Sequence, residues 1–238
     1  MSYFIYNSIN SQTMGITVDT YPPIIRAEEK VEKVEVPGMD GELTLDTGRR
    51  AYKNYEKYCP CTISANADVQ AVIDWLKGSG TIVFGNEPQF AYEVSLENEL
   101  LIEKIIRERD DRKFTLVLNT KPKKKLATPE SDLIFTANGT ITNPGNVDAL
   151  PLIKVEGSGN IGLMIGQFVL DIKGLVSGTP ILIDCEAGMA TDTLKTINMT
   201  AMLEAPEWEF PAIKPGNNAL SFTGSATKIT ITPRWRWV

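Results

Sequence analysis

Clear helical periodicity appears once in these 238 residues, and most of the rest of the chain is written in periods of two, short apolar runs and turns. The helical stretch is Ala67 to Lys77. Val69, Val72, Ile73 and Leu76 fall on one face at helical spacing, Asn66 or Asp68 stands ready to cap the start, and Gly78 closes the end. That pattern predicts one helix set against a sheet in a mainly β chain. Strands are expected at Thr81–Phe84, where a short apolar run follows the helix, and at Phe114–Leu118. The stretch from Glu97 to Arg109 fits a helix by its spacing and two strands by its β-branched content. The turn-like Arg109-Asp110-Asp111-Arg112 that follows favours strands.

A composition break falls between Asn119 and Asp132, where four lysines and two prolines crowd into Thr120–Ser131. Such a segment is poor core material and reads as a boundary. The expected division is residues 1–121, a linker at 122–131, and residues 132–238. The lysines are expected to be solvated, the sharper alternative being a phosphate-binding patch. Beyond the break no helical signal remains. Strands are expected at Leu133–Phe135, Leu152–Val155, Ile161–Ile165, Phe168–Ile172, Ile181–Cys185, Ile197–Met202 and Ala219–Phe222. Turn residues separate them at Asn143–Asn146, Gly157–Asn160 and Pro215–Asn218. In the last strand Ile229, Ile231, Trp235 and Trp237 share one face, and Thr230, Thr232, Arg234 and Arg236 the other. This half reads as a β-sandwich.

Composition narrows the chemistry. The chain has no histidine, so no Ser-His-Asp or Cys-His dyad and no H-E-x-x-H zinc site can be built from it. Acid–base work would fall to carboxylates, Lys, Tyr or Cys. The three cysteines, Cys59, Cys61 and Cys185, are too few for a disulfide framework or a four-ligand zinc site and fit a reducing compartment. The net charge is −6, with −2 before Leu126 and −4 after it counting Leu126 in the first half, so neither half is a basic nucleic-acid module. Met1–Asn7 has neither a basic leader nor an apolar core, and no run approaches the ~20 residues of a membrane span. Synthesis in the cytosol is the expectation, with no membrane insertion.

Candidate sites are few. Glu207 and Glu209 flank Trp208, and on a strand they would stand on one face about 7 Å apart. That separation suits an inverting glycosidase, but catalytic carboxylates face each other across a cleft, and an exposed acidic face is the plainer reading. The neighbours Glu28-Glu29 and Asp110-Asp111 would point to opposite faces of a strand and cannot share a metal from one. Cys59-Pro60-Cys61 lacks C-x-x-C spacing and reads as two free thiols. Gly157–Gly162 imitates G-x-G-x-x-G without the helix that a nucleotide site requires. Tyr52, Tyr55 and Tyr58, and the tryptophans Trp208, Trp235 and Trp237, are core or interface aromatics or, in the alternative, a sugar-binding surface. No catalytic residue, cofactor or metal is assigned.

The order of the pieces says more than any one of them. Val36-Pro37-Gly38-Met39-Asp40-Gly41 with Leu43 is followed by the helix ending Asp74-Trp75-Leu76-Lys77-Gly78, then by Phe84 before Gly85-Asn86-Glu87-Pro88. Next come Phe114–Leu118 leading into Lys121-Pro122, Asn143-Pro144-Gly145-Asn146 before Pro151, Ile183-Asp184, and Phe210-Pro211 before Pro215-Gly216-Asn217. In this order the sequence resembles the distal tail protein family of long-tailed, non-contractile phages and related prophages, over nearly the whole chain. It departs from the family where Met39 stands in place of a common arginine. The resemblance implies an N-terminal β-rich ring or belt domain with one α-helix and a C-terminal galectin-like β-sandwich. It further implies a six-membered ring at the virion tail tip, assembled in the host cytoplasm, which joins the tail-tube protein to baseplate or receptor-binding proteins around a channel for DNA. The implied role is structural rather than enzymatic, without specific nucleic-acid binding. Candidate ring or partner contacts are Val36, Pro37, Gly38, Asp40, Gly41, Arg49 and Arg50, a Gly-flanked acidic turn and paired arginines being plausible interface devices. The alternative class is a carbohydrate-binding β-sandwich acting through Trp208, Trp235 or Trp237, and behind it a histidine-free glycosidase.

Overall fold

The computed structural model describes residues 2–35, 37–38, 40–45, 51–97, 99–104, 111–205 and 209–238. The chain is mainly β and divides into two compact units, Met1–Ala127 and Thr128–Trp237.

In the first unit the strands are β1 Phe4–Tyr6, β2 Ile9–Asn10, β3 Ile16–Val18, β4 Glu32–Glu35, β5 Glu42–Leu45 and β6 Tyr55–Ile63. After the helix α1, Val69–Trp75, come β7 Gly78–Phe84, β8 Phe90–Leu96, β9 Glu103–Lys104, β10 Arg112–Thr120 and β11 Lys124–Leu126. The main sheet runs β2-β1-β7-β8-β10-β6-β3. It is strongly curled, because the Val18 N–H reaches from the end of β3 to the Ser2 carbonyl at 3.4 Å, just before β1. Inside the curl lie Phe4, Tyr6, Ile16, Val18, Cys61, Ile63, Ile82, Phe84, Phe114, Leu116 and Leu118. Alternation sets this inner face: along β6, Cys59, Cys61 and Ile63 point inward while Glu56 and Tyr58 are exposed. Pro60 is tolerated within β6 because its carbonyl faces the end of β3, where it accepts the Asp19 N–H at 2.9 Å. In an antiparallel strand its nitrogen faces the same way, so its missing N–H removes nothing from the β6–β10 ladder.

The helix forms where the periodicity predicts, and Asp68 is the cap, its Oδ1 accepting from the Gln70 and Ala71 N–H groups. The buried face differs from expectation. Val72 and Leu76 are buried, but Ile73 is 40% exposed and Trp75 takes its place, its ring stacked on Phe4 at 5.8 Å and set edge-on to Tyr6. Two aromatic partners fixed by β1 turn the short helix further round than a simple apolar stripe would. In the ambiguous stretch the described residues hold only the short strand β9, paired with Arg112 and Lys113 of β10; residues 98 and 105–110 lie outside the described residues.

The segment at 122–131 does not behave as a linker throughout. Lys124–Leu126 forms β11, whose Lys125 and Leu126 pair with Ala91 and Phe90 of β8, and the units divide after Ala127.

In the second unit the strands are β12 Leu133–Phe135, β13 Gly139–Asn143, β14 Leu152–Ile165, β15 Phe168–Leu175 and β16 Ile181–Asp184. They continue with β17 Met189–Asp192, β18 Leu203–Glu204, β19 Gly216–Thr232 and β20 Arg236–Trp237. The two long strands β14 and β19 pair along their length, and every other strand from β12 to β18 hangs from them directly or through one neighbour. Glycines at 157–160 therefore mark an irregularity inside one long strand, not the predicted turn. Likewise Ala219–Phe222 and Ile229–Thr232 belong to one strand. At this crossing β19 carries one extra residue, Thr227, and β14 carries two, Gly159 and Asn160. One extra residue inverts the alternation and two preserve it. Accordingly the inward residues of β19 change from Asn218 and Leu220 to Ile229 and Ile231, while Ile153, Val155, Ile161, Leu163 and Ile165 of β14 keep one parity. The expected strand Ile197–Met202 is instead an Asp192-organised loop ending in a 3-10 turn at Thr200–Met202. The last strand's two-face pattern ends at Arg234, whose φ of +55° reorients the chain so that Arg236 is buried with Trp235.

Candidate functional site

The first unit carries a hairpin that belongs to neither large sheet. β4 and β5 pair only with each other among the described residues, in the register Lys33–Thr44, Val34–Leu43 and Glu35–Glu42, with a salt bridge from Lys33 to Glu42 at 2.7 Å. Gly38 and Gly41, at φ +86° and +84°, turn the chain at its tip. Two legs join the hairpin to the sheet. On them Lys30 N–H donates to the Ala51 carbonyl at 2.7 Å, Lys53 N–H to the Glu28 carbonyl at 2.8 Å, and Glu29 bridges Tyr52. Pro37, Gly38, Asp40 and Gly41 are all exposed at the tip. Val36, Arg49 and Arg50 lie outside the described residues. Behind the tip the directly opposed Val34 and Leu43 are 38% and 43% exposed, an apolar pair on an arm that a two-stranded ribbon alone stabilises only marginally.

The remaining candidates do not converge. Trp235 is 8% exposed and its backbone N–H is tied to Glu130 Oε1 at 2.7 Å, so it offers no stacking face to a sugar. Trp237 is half-buried; Trp208 and Glu207 lie outside the described residues, and Glu209 is exposed. Cys59 and Cys61 are free and buried with their sulfurs 3.8 Å apart, and the hydrogen bond with Cys59, followed by burial, pushes the Cys61 thiol up, so it stays protonated and inert. Among the described residues no group of three or more Cys, Asp or Glu is placed to hold a metal ion. Tyr58 is exposed and donates to Glu56, whereas Tyr55 faces a buried ionic cluster that raises it to about 12, mainly by desolvation and then by the charge of Glu87.

That cluster answers the question of the lysine-rich segment. Lys124 Nζ lies 3.1 Å from Glu87 Oε1, and both side chains are largely buried. Glu87 also accepts from the Tyr92 hydroxyl at 2.5 Å, and Lys124 sits 4.1 Å from the centre of the Phe90 ring. Lys121 and Lys125 both pair with Glu93. Lys124 and Lys125 lie on a strand edge neutralised by Glu87 and Glu93, and Lys124 is largely buried rather than solvated, whereas Lys121 pairs with Glu93 and still stays 65% exposed, as expected. Burial works to raise Glu87, but hydrogen bonds from Tyr92 and Lys124 and the charges of Lys124 and Lys57 outweigh it and hold its carboxyl below the usual range. Glu93 follows the same logic: burial opposes, yet the two lysines bring it down to about 2. A carboxylate depressed in the folded state adds stability that is whole above the unfolded value near 4.5 and is lost as pH falls toward 2. Acid titration of unfolding free energy is therefore expected to show a steeper fall below pH 4.5 in the natural chain than in Glu93→Gln; equal slopes would remove Glu93 from the account. Nothing in local patterning announces Glu87. Lys57, however, shares parity with Tyr55, Cys59, Cys61 and Ile63, and that alternation was the available signal that it points inward.

No family model and no curated protein matches this sequence. Among solved structures, the chain superposes on SPP1 Dit (gp 19.1), described as a paradigm of hub adsorption apparatus in Gram-positive-infecting phages. The TM-score is 0.77 at 13% identity, with 100% of both chains covered. With so little sequence in common the likeness is one of fold. Over its whole length the chain thus has the fold of SPP1 Dit.

Proposed function

We propose that this chain is a structural component of a phage tail tip: a hub that closes into a ring of six copies, joins the tail tube to the host-recognition apparatus and leaves a channel through which DNA passes. The observation that carries the reading is the full-length likeness to a hub protein, which includes both units rather than one common domain. The free-standing arm supports it, because a hairpin with an exposed Val34–Leu43 pair gains its stability from a surface outside its own sheet. Pro37, Gly38, Asp40 and Gly41 at the tip are the proposed contacts, together with the adjacent Val36 and with Arg49 and Arg50, eight and nine residues past Gly41. The chain acts by self-association and docking to neighbouring tail proteins, in the virion and, during assembly, in the host cytoplasm. No catalysis is required of it.

Mass measurement and negative-stain imaging, alone and with the cognate tail-tube protein, test the reading. Rings of six copies are expected; a monomer that also fails to co-purify with the tube would overturn it. The double substitution Val34→Ser with Leu43→Ser should weaken the ring by about 2 kcal/mol or more per interface while leaving the monomer folded, since these side chains are exposed before assembly.

A further inference from the structure

Among the described lysines Lys57 alone is fully buried, at 1% exposure. Its ammonium lies 4.8 Å from the centre of the Tyr92 ring and 5.7 Å from that of Tyr55. The nearby carboxylate, Glu87, is hydrogen-bonded to Lys124 and Tyr92, and Lys57 donates instead to the backbone carbonyl of Pro23 at 2.8 Å. The rings and the field of Glu87 offset part of the cost of burying this ammonium, but the hydrogen bond goes to the Pro23 carbonyl, so the position of that carbonyl matters. Pro23 belongs to the irregular stretch between β3 and the arm, where Pro22-Pro23 supplies no N–H to any ladder. Lys57 stands on β6, four residues past Lys53, at the root of the other leg. One side chain thus spans both legs below the Lys30–Ala51 and Glu28–Lys53 bonds.

We propose that Lys57 is the clasp of the arm: its hydrogen bond to Pro23 holds the two legs together at their root, and breaking it lets the legs open while the curled sheet stays folded. The proposal concerns the single chain and does not depend on ring formation. In the natural chain, acetylation of Lys57 by acetic anhydride, read by mass spectrometry, is compared with amide exchange. Lys57 is expected to label with the same opening constant as the Lys30 and Lys53 amides; labelling only at the opening constant of the Leu116 and Leu118 amides, which report unfolding of the sheet, overturns the proposal. In Lys57→Met the Lys30 and Lys53 amides should lose about tenfold in protection with Leu116 and Leu118 unchanged, and Lys57→Arg should restore part of it. A uniform loss across the sheet, or no change in the legs, also overturns it. Should Lys57→Met fail to fold, the labelling of the natural chain still decides.

Discussion

Glu87→Leu is expected to destabilise the first unit by about 3–5 kcal/mol, the cost typical of removing one partner from a buried ion pair. The reason is the company Glu87 keeps. Lys124, with only 16% of its side chain exposed, would lose its counter-charge, Lys57 would lose the carboxylate whose field favours its ammonium, and the Tyr92 hydroxyl would lose its acceptor. Two largely buried cations, both within reach of the Tyr92 ring, would then repel each other without that counter-charge. Glu87→Gln keeps the shape and an acceptor but not the charge, so its cost should be smaller. The paired change Glu87→Leu with Lys124→Met should recover part of the loss, because replacing a whole buried pair by apolar groups is far milder than halving it. Urea unfolding followed by amide exchange in β10 measures all three. A single Glu87→Leu within about 1 kcal/mol of the natural chain would show that the cluster is hydrated enough to dispense with its carboxylate.

Local signals and long-range ones divide sharply in this chain. The helix was legible because Val69, Val72 and Leu76 and the Asp68 cap are all written within eight residues of one another. Trp75, which displaces Ile73 from the interface, depends on Phe4, seventy-one residues earlier, and no periodicity contains that. The strands of the second unit were mostly legible in place but not in length. Gly157-Ser158-Gly159-Asn160 has turn composition, and only the pairing of Ser158 with Ser225 and of Ile161 with Gly224 across the sheet shows a bulge there. Lys124 reads as solvated because Glu87, the partner that buries it, is thirty-seven residues away, and the pairing of Lys121 and Lys125 with Glu93 spans twenty-eight and thirty-two. The arm was legible at its tip from Pro37, Gly38 and Gly41, since turn chemistry is local. Its root was not: Lys57 and Pro23 are joined by one hydrogen bond over thirty-four residues.

Gly224→Val should unfold the second unit outright, with a loss of about 4 kcal/mol or more against a typical domain stability of 5–15 kcal/mol. Two costs add at this position. Gly224 has φ +81°, a conformation that a β-branched residue resists, and a Cβ built there falls 2.1 Å from the Asn160 carbonyl oxygen and 3.3 Å from the Ile161 Cα. Both obstructing atoms are backbone, so no side-chain rotation relieves the clash. Moving the strands apart is no remedy, because Gly224 pairs with Ile161 at the point where the bulges set the register. Upstream of it β19 buries Leu220, and downstream the extra residue Thr227, whose hydroxyl donates to the Glu156 carbonyl at 3.1 Å, inverts the alternation so that Ile229 and Ile231 also face inward. A strand that slipped by one residue to escape the clash would turn Ile229 and Ile231 to water. Gly174→Ala supplies the contrast: its φ is +63°, but nothing lies within 4 Å of the added Cβ, and the cost should be only about 1 kcal/mol. Denaturation of both variants, read from amide exchange at Ile153, Ile161 and Ile229, separates the clash from the strain; comparable small losses in both would mean that the crossing can bend without its glycine.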